Sequence, residues 1–338
     1  MMMKRSISLV TALCLLSLCA CTQKQKPEPD EPKNSADRAG LPTTVIPRIS
    51  DGEMGSSVSF TDSLGSTITL EEAPQRVAAL IGSYAETWVL AGGEDTLAVV
   101  TQDAYDERGL ELGEDVTNVG SNQTPELEAL FAAQPDLVLL TPDLDGQLAL
   151  AEPLAAAGIP AAWFKVESFS DYLSMLEICT RLTGRDDLYQ ANGLDIQAEI
   201  DRVLARVPEG EHPTVLLLRA YSTGVRAKNS DNITGVMLKD LGCINIADSD
   251  SGLLEEIQME SILAADPDHI FVTTMGSSTE KALDSLTELF HSDPAWESLA
   301  AVKEGRVHIL DKALFHYKPN ARWGESYEVL ADILYGGA

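Results

Sequence analysis

Between residues 186 and 207 the chain reads DDLYQANGLDIQAEIDRVLARV, with Leu188, Ala191, Ile196, Ile200, Val203, Leu204 and Val207 at mostly three- and four-residue steps. That spacing predicts one long amphipathic helix, preceded by Gly184-Arg185 and stopped by Pro208. Two similar stretches flank it: 127–140 reads LEALFAAQPDLVLL and 259–272 reads MESILAADPDHIFV. At a constant offset Glu128 meets Glu260, Ala132-Ala133 meet Ala264-Ala265, and Pro135-Asp136 meets Pro267-Asp268. The halves read as two versions of one unit, joined by the long helix.

In the first half, alternation over 58–70 around Ser63-Leu64-Gly65 predicts a hairpin. Strands follow at 77–81, 97–100, 116–119, 137–140 and 161–164, with helices at 84–91, 126–133 and 148–157. Thr124-Pro125 is the expected start of the second helix, and Gly158 ends the third. A helix at 169–182 leads into the long helix. In the second half a strand at 215–218 runs into a loop carrying Arg219, Tyr221, Arg226, Lys228 and Asn229. Helices are expected at 233–241, 259–265, 279–290, 295–302 and 322–335, and strands at 269–273 and 306–310. Such alternation implies an α/β fold of two lobes, with mostly parallel sheets flanked by helices. The boundaries are an N-terminal lobe over 55–166, an interlobe helical segment over 167–207 and a C-terminal lobe over 208–338. A single helical crossing predicts little lobe movement.

Composition narrows the partners. A formal charge of −29 over 338 residues repels nucleic-acid phosphate and anionic lipid. Lys4 and Arg5 precede an apolar run over 7–18, too short to span a membrane and right for a signal peptide over 1–20. The run ends Leu18-Cys19-Ala20-Cys21, which resembles a bacterial lipobox and by that resemblance makes Cys21 the lipidation site. Residues 21–54 hold few apolar groups and form a flexible tether, with a span on the order of 30 Å. Of the other cysteines, Cys179 and Cys243 are expected as buried free thiols. Neither a Gly-x-Ser-x-Gly elbow, a phosphate-binding Gly-Lys-Ser/Thr loop nor a His-Glu-x-x-His helix occurs, which argues against an enzyme.

Several further motifs fall in a fixed order: Pro74-Gln75-Arg76-Val77, Leu90-Ala91-Gly92-Gly93, the two Glu-to-Pro-Asp segments, Leu182-Thr183-Gly184-Arg185 and Gly305-Arg306-Val307. Together with the lipobox, over about 55–336, they resemble a substrate-binding lipoprotein of an ABC importer. The similarity is to the helical-backbone class that binds iron-siderophores, haem or cobalamin. The resemblance implies a monomer, lipid-anchored to the outer face of the bacterial cytoplasmic membrane, without an intrinsic cofactor. It would deliver its ligand to an ABC permease dimer with a cytoplasmic ATPase, docking through Glu128 and Glu260. The metal chelate expected in an interlobe cleft is a ferric siderophore or haem; a corrinoid ligand, or a surface receptor without transport, is the alternative.

Loops beyond strand ends converge on such a cleft. The first lobe offers Ser83, Tyr84, Gln102, Tyr105, Thr141 and Phe164-Lys165. From the second come Arg219, Tyr221, Arg226, Lys228, Asn229, Met275 and the run Phe315-His316-Tyr317-Lys318. Aromatic faces and cations suit a large chelated anion. His316, Tyr317 and Met275 carry the donor types that ligate haem iron. His212, His269, His291 and His308 are scattered over a loop, two strands and a helix end, and form no set for a bare zinc or manganese ion.

Overall fold

The computed structural model describes residues 57–276 and 278–336; the proposed signal peptide, Cys21 and the tether lie outside the described residues. Val58–Thr61 (β1) and Thr67–Leu70 (β2) pair antiparallel as the expected hairpin. The first lobe continues through Val77–Ala79 (β3), Gly82–Leu90 (α1), Leu97–Val100 (β4), Asp103–Asp106 (α2), Thr117–Asn118 (β5), Leu127–Ala132 (α3) and Leu137–Leu140 (β6). Asp145–Leu148 (α4), Ala151–Ala157 (α5) and Ala161–Trp163 (β7) complete it. Its parallel sheet has the order β5-β4-β3-β6-β7. Gly158 ends α5 in the left-handed region, as its position in sequence implies. Thr124-Pro125 does not start α3, which is flanked instead by Glu126 with no side-chain cap.

Phe169–Thr183 (α6) opens with a Ser168/Asp171 capping box. The segment after it is not one regular helix. Asp186–Tyr189 (α7) passes through a π turn at Gln190–Leu194 into Asp195–Leu204 (α8). The cause is visible at Gly193, where an added Cβ would come within 2.8 Å of Leu173 Cδ1 and 3.2 Å of Leu176 Cδ2 on α6. The Tyr172 hydroxyl, also on α6, donates to the Asn192 carbonyl at 2.9 Å, and Asn192 Nδ2 donates to Leu90 O at 2.9 Å. The widened turn therefore lets the chain lie directly on α6 and tie to the end of α1.

The second lobe runs Thr214–Tyr221 (β8), Gly224–Lys228 (β9), Ile233–Asp240 (α9), Ile244–Asn245 (β10), Gly252–Glu255 (α10), Met259–Ala265 (α11), His269–Thr274 (β11) and Thr279–Ser292 (α12). Ala300–Lys303 (α13), Val307–Ile309 (β12), Lys312–Phe315 (α14) and Trp323–Tyr335 (α15) close it. The parallel strands follow the order β10-β8-β11-β12. The expected loop after β8 is a β-hairpin: β8 extends to Tyr221 and pairs antiparallel with β9, placing Arg219 opposite Arg226 and Leu217 opposite Lys228. A helix expected over 295–302 splits into a 3-10 turn at Pro294–Ser298 and the short α13.

The internal repeat reappears as geometry. Gln134 and Asp266, at matching positions after α3 and α11, both take positive φ values, 48° and 37°. A proline follows each, so the chain leaves the helix at once. The Asp136 carboxylate accepts from the backbone N–H groups of Gln75 and Arg76 at 2.7 and 2.9 Å. Its counterpart Asp268 accepts from the Thr214 N–H and hydroxyl, both at 2.8 Å. Each Pro-Asp pair thus stitches the start of one strand to the start of its neighbour.

Period-two alternation sends opposite strand faces to different cores. Val77, Ala79, Leu137 and Leu139 of the first lobe join Val215, Leu217 and Phe271 of the second in one continuous apolar cluster. The same cluster holds Met175, Leu176 and Cys179 of α6, Ile196, Ile200 and Val203 of α8, and Trp323 and Tyr327 of α15. The alternate residues Ala78, Val138 and Leu140 face a separate core in one lobe, and Leu216, Leu218, Ile270 and Val272 another in the other. Cys179 and Cys243 are both buried free thiols in the shared cluster. Replacing Gly193 with Leu should lower stability to urea by about 1 to 3 kcal/mol through overpacking against α6. Helix propensity alone predicts a gain of about 1 kcal/mol, so a more stable variant would contradict the close-approach account.

Candidate functional site: an interlobe cleft

Parallel strands deliver the loops after their C-terminal ends to one edge of each sheet, and the two edges face each other here. Between them lies a cavity of about 510 Å³. The first lobe contributes Ile81 and Ser83 after β3, Glu107 and Arg108 after α2, Asn122 and Gln123 after β5, and Thr141, Asp143 and Leu144 after β6. Met275 and Gly276 after β11, with Lys312, His316, Tyr317 and Lys318 after β12, form the other wall.

Buried polar side chains set these loops. Gln147, fully buried, accepts from the Thr141 N–H at 2.9 Å and donates to the carbonyls of Leu80 and Asn122 at 2.6 and 2.9 Å. Asp103 accepts from the Gly82 N–H and Asn122 Nδ2, both at 2.8 Å. Its charge also complements the dipole at the start of α1. A Cβ at Gly82 would lie 2.6 Å from the Asp103 carbonyl carbon, so only glycine permits this approach.

The lobes touch directly at one end of the cleft. Arg108 of the first lobe pairs with Glu86 at 3.1 Å and donates to the Lys318 carbonyl of the second at 2.7 Å. Asn320 crosses in the opposite direction, donating to Ser83 O at 2.9 Å and to Glu86 Oε2 at 2.6 Å. Lys312 donates to the Gly276 carbonyl at 2.6 Å and stands 4.7 Å over the Tyr317 ring. Burial, together with the hydrogen bond and charge of Glu107, raises the Tyr317 phenol and keeps it protonated. Burial also lowers Arg108, Lys312 and Lys318 from their ordinary values. Burial, then the charges of Arg219, Lys312 and Lys318, push His316 down to about 3, so its imidazole is neutral.

Of the residues expected at the cleft, the structure brings Ser83, Thr141, Met275, His316, Tyr317 and Lys318 together around the cavity. The others stand elsewhere. Tyr84 is buried in the shared core, its hydroxyl donating to Phe164 O at 2.7 Å. Gln102 bonds Asp106 and Asn118 on the surface, and Tyr105 packs against the core. Lys165 reaches Asp143 at 3.8 Å and Glu167 at 3.2 Å from outside the cavity. Arg219 does not line the cavity; it reaches Thr273 at 3.4 Å, and its charge acts on His316. Tyr221, Arg226 and Lys228 follow the β8-β9 hairpin, where Arg226 donates to Glu255 O at 3.1 Å, while the Asn229 carbonyl accepts from Asn232. Arg219, Tyr221, Arg226 and Lys228 miss the cavity because their segment is a paired strand rather than a loop. Glu107, Arg108, Asn122, Gln123, Asp143 and Lys312 line it without any periodic signal in sequence; the Val225/Ala227 alternation could have revealed the hairpin. Among the described residues no group of three or more His, Cys, Asp or Glu is placed to hold a bare metal ion.

Two lobes of this topology around such a cleft define the two-lobed α/β class of periplasmic binding folds. The chain belongs to the periplasmic binding protein family, whose sequence pattern matches residues 77–314. It is 22% identical over 198 residues to the Fe(3+)-citrate-binding protein YfmC of Bacillus subtilis strain 168, covering 59% of this chain and 60% of that one. To the Fe(3+) dicitrate-binding periplasmic protein FecB of Escherichia coli K12 it is 23% identical, covering 72% and 79%. Its fold is similar to a periplasmic heme binding protein from Pseudomonas aeruginosa, with a TM-score of 0.63, 22% identity and coverage of 78% and 94%.

The electrostatics of His316 carry a pH signature. An unfolded chain takes up the imidazole proton near 6.5, the folded one only near 3. The unfolded state therefore binds more protons between these values, and stability falls as pH drops from above 6.5 toward 3. His269 and His308, lowered chiefly by burial, act with the same sign. Urea unfolding across that range should show a flatter pH dependence for His316→Asn, by up to about one proton; an unchanged slope would contradict the neutral, buried assignment.

Proposed function

We propose that this chain is an extracytoplasmic, lipid-anchored solute-binding protein that captures an iron complex in the interlobe cleft and hands it to an ABC permease. The observation that carries this reading is the cleft itself, where Arg108, Lys312 and Lys318 stand beside the phenol of Tyr317 and the neutral imidazole of His316. Cations with aromatic faces match the charge and size of a ferric chelate or haem. The relatives named for ferric citrate support the same ligand class. Capture and release need no covalent step, so the reading is one of binding rather than catalysis.

Glu128 and Glu260 are the proposed docking residues. Both are exposed, in the first turns of α3 and α11, and neither forms an ion pair among the described residues. Each helix runs back from the strands' C-terminal edge, so its first turn lies on the cleft side of its lobe. Carboxylates there also complement the helix dipole, by about 0.3 to 1 kcal/mol, but that role does not require one on each lobe at the same repeat position.

The test combines binding and transport. Ferric citrate, a ferric trihydroxamate, haem and cyanocobalamin are titrated against the purified protein, and uptake of the bound complex is measured in cells carrying Glu128→Lys/Glu260→Lys. Binding of an iron complex, with uptake abolished and affinity intact in the double variant, is the expected outcome. Cyanocobalamin as the sole ligand would overturn the iron reading, and unimpaired uptake would overturn the docking assignment.

A further inference from the structure

Three polar groups on the cavity wall are left without partners by the protein itself. Ser83 is 3% exposed, and its Oγ bonds nothing among the described residues. Nδ1 of His316, on a half-buried ring, is itself buried and likewise unpaired. The Lys318 ammonium stands 5.8 Å over the Tyr84 ring and makes no ion pair among the described residues. A buried hydroxyl or imidazole nitrogen without a partner costs free energy, so its persistence in a cleft points to a group that arrives from outside.

The neighbouring charges are already engaged. Arg108 is paired with Glu86 and bonded to the Lys318 carbonyl, and Lys312 holds the Gly276 carbonyl. Asp143 faces Lys165, and Glu107 is hydrogen-bonded to Tyr317. What remains at Ser83, His316 and Lys318 is an ammonium with no ion-pair partner among the described residues, beside an unpaired hydroxyl and an unpaired imidazole nitrogen. A carboxylate offers about four lone-pair positions and one negative charge, which suits an ammonium, a hydroxyl and a ring N–H on one cavity wall.

We propose that Ser83, His316 and Lys318 form a carboxylate subsite, so that the cargo is a chelate with at least one carboxylate left free by its metal. The inference rests on the cleft being the cargo site. A ferric hydroxycarboxylate and the propionates of haem share this chemistry, whereas a neutral ferric trihydroxamate lacks it.

Wild type, Ser83→Ala and Lys318→Met are titrated with ferric citrate, haem and a neutral ferric trihydroxamate, following tryptophan fluorescence, with thermal melting as the check that each variant folds. Wild type should bind ferric citrate or haem and prefer it to the trihydroxamate; which of the two binds identifies the source of the carboxylate. Each substitution should weaken that binding by about 10- to 100-fold, the worth of a hydrogen bond to a charged group, and leave trihydroxamate binding unchanged. The subsite is overturned if wild type prefers the trihydroxamate, if both folded variants keep full affinity for the carboxylate ligand, or if they lose affinity for all probes equally. Ser83→Ala removes one oxygen and carries the test by itself if Lys318→Met fails to fold. Wild type that binds none of the three overturns the cleft reading, and the subsite with it; that outcome differs from every failure of the subsite alone.

Discussion

The constraint on which this molecule depends is that the two lobes share one apolar core. Alternate residues of both sheets, Val77 and Leu139 on one side and Leu217 and Phe271 on the other, meet α6, α8 and α15 in a single continuous cluster. Separating the lobes would expose that cluster to water, at about 25 cal/mol for each Å² of apolar surface uncovered. Interdomain contacts that are small and polar allow hinge motion by default. This one is apolar and continuous, and the Arg108-Glu86-Asn320 contacts add charged hydrogen bonds at one end of the cleft. The cleft is consequently a preformed cavity, not one assembled by closure.

A preformed cavity needs its loops held before ligand arrives. Gln147 supports three loop backbone groups from within the first lobe, and Asp103 ties the start of α1 to the loop that carries Asn122. Within these walls Ser83 Oγ stays buried without a protein partner. The neutral state of His316 belongs to the same design, since burial, and after it the charges of Arg219, Lys312 and Lys318, make a further positive charge unfavourable.

Much of the fold was legible because burial imposes a period. The strands at β3, β4, β6 and β11 and the helices α6, α9 and α11 follow from alternation, capping and turn residues, and the Glu-to-Pro-Asp repeat exposed the duplicated unit. The sequence did not reveal the π turn at Gly193, because its cause is a contact with Leu173 on another helix. The β8-β9 hairpin was legible only in the Val225/Ala227 alternation, because its Ser222-Thr223 turn lacks the Asn-Gly or Asp-Gly pair that marks most two-residue hairpin turns. Ser83, Thr141, Met275, His316 and Tyr317 were found by reasoning from strand ends. Glu107, Arg108, Asn122 and Lys312 were not, since loop side chains are brought to a cavity by topology rather than by spacing. Gln147 is a polar side chain whose burial only its three bonds explain.

The shared core makes a claim about motion that a distance can test. Spin labels placed at the exposed positions Glu152 on α5 and Glu288 on α12 report the separation of the lobes by pulsed electron resonance. A single narrow distance distribution that shifts by less than about 2 Å when an iron complex binds is the expected result. A broad or two-peaked distribution in the ligand-free protein, collapsing to a shorter distance on binding, would contradict the account.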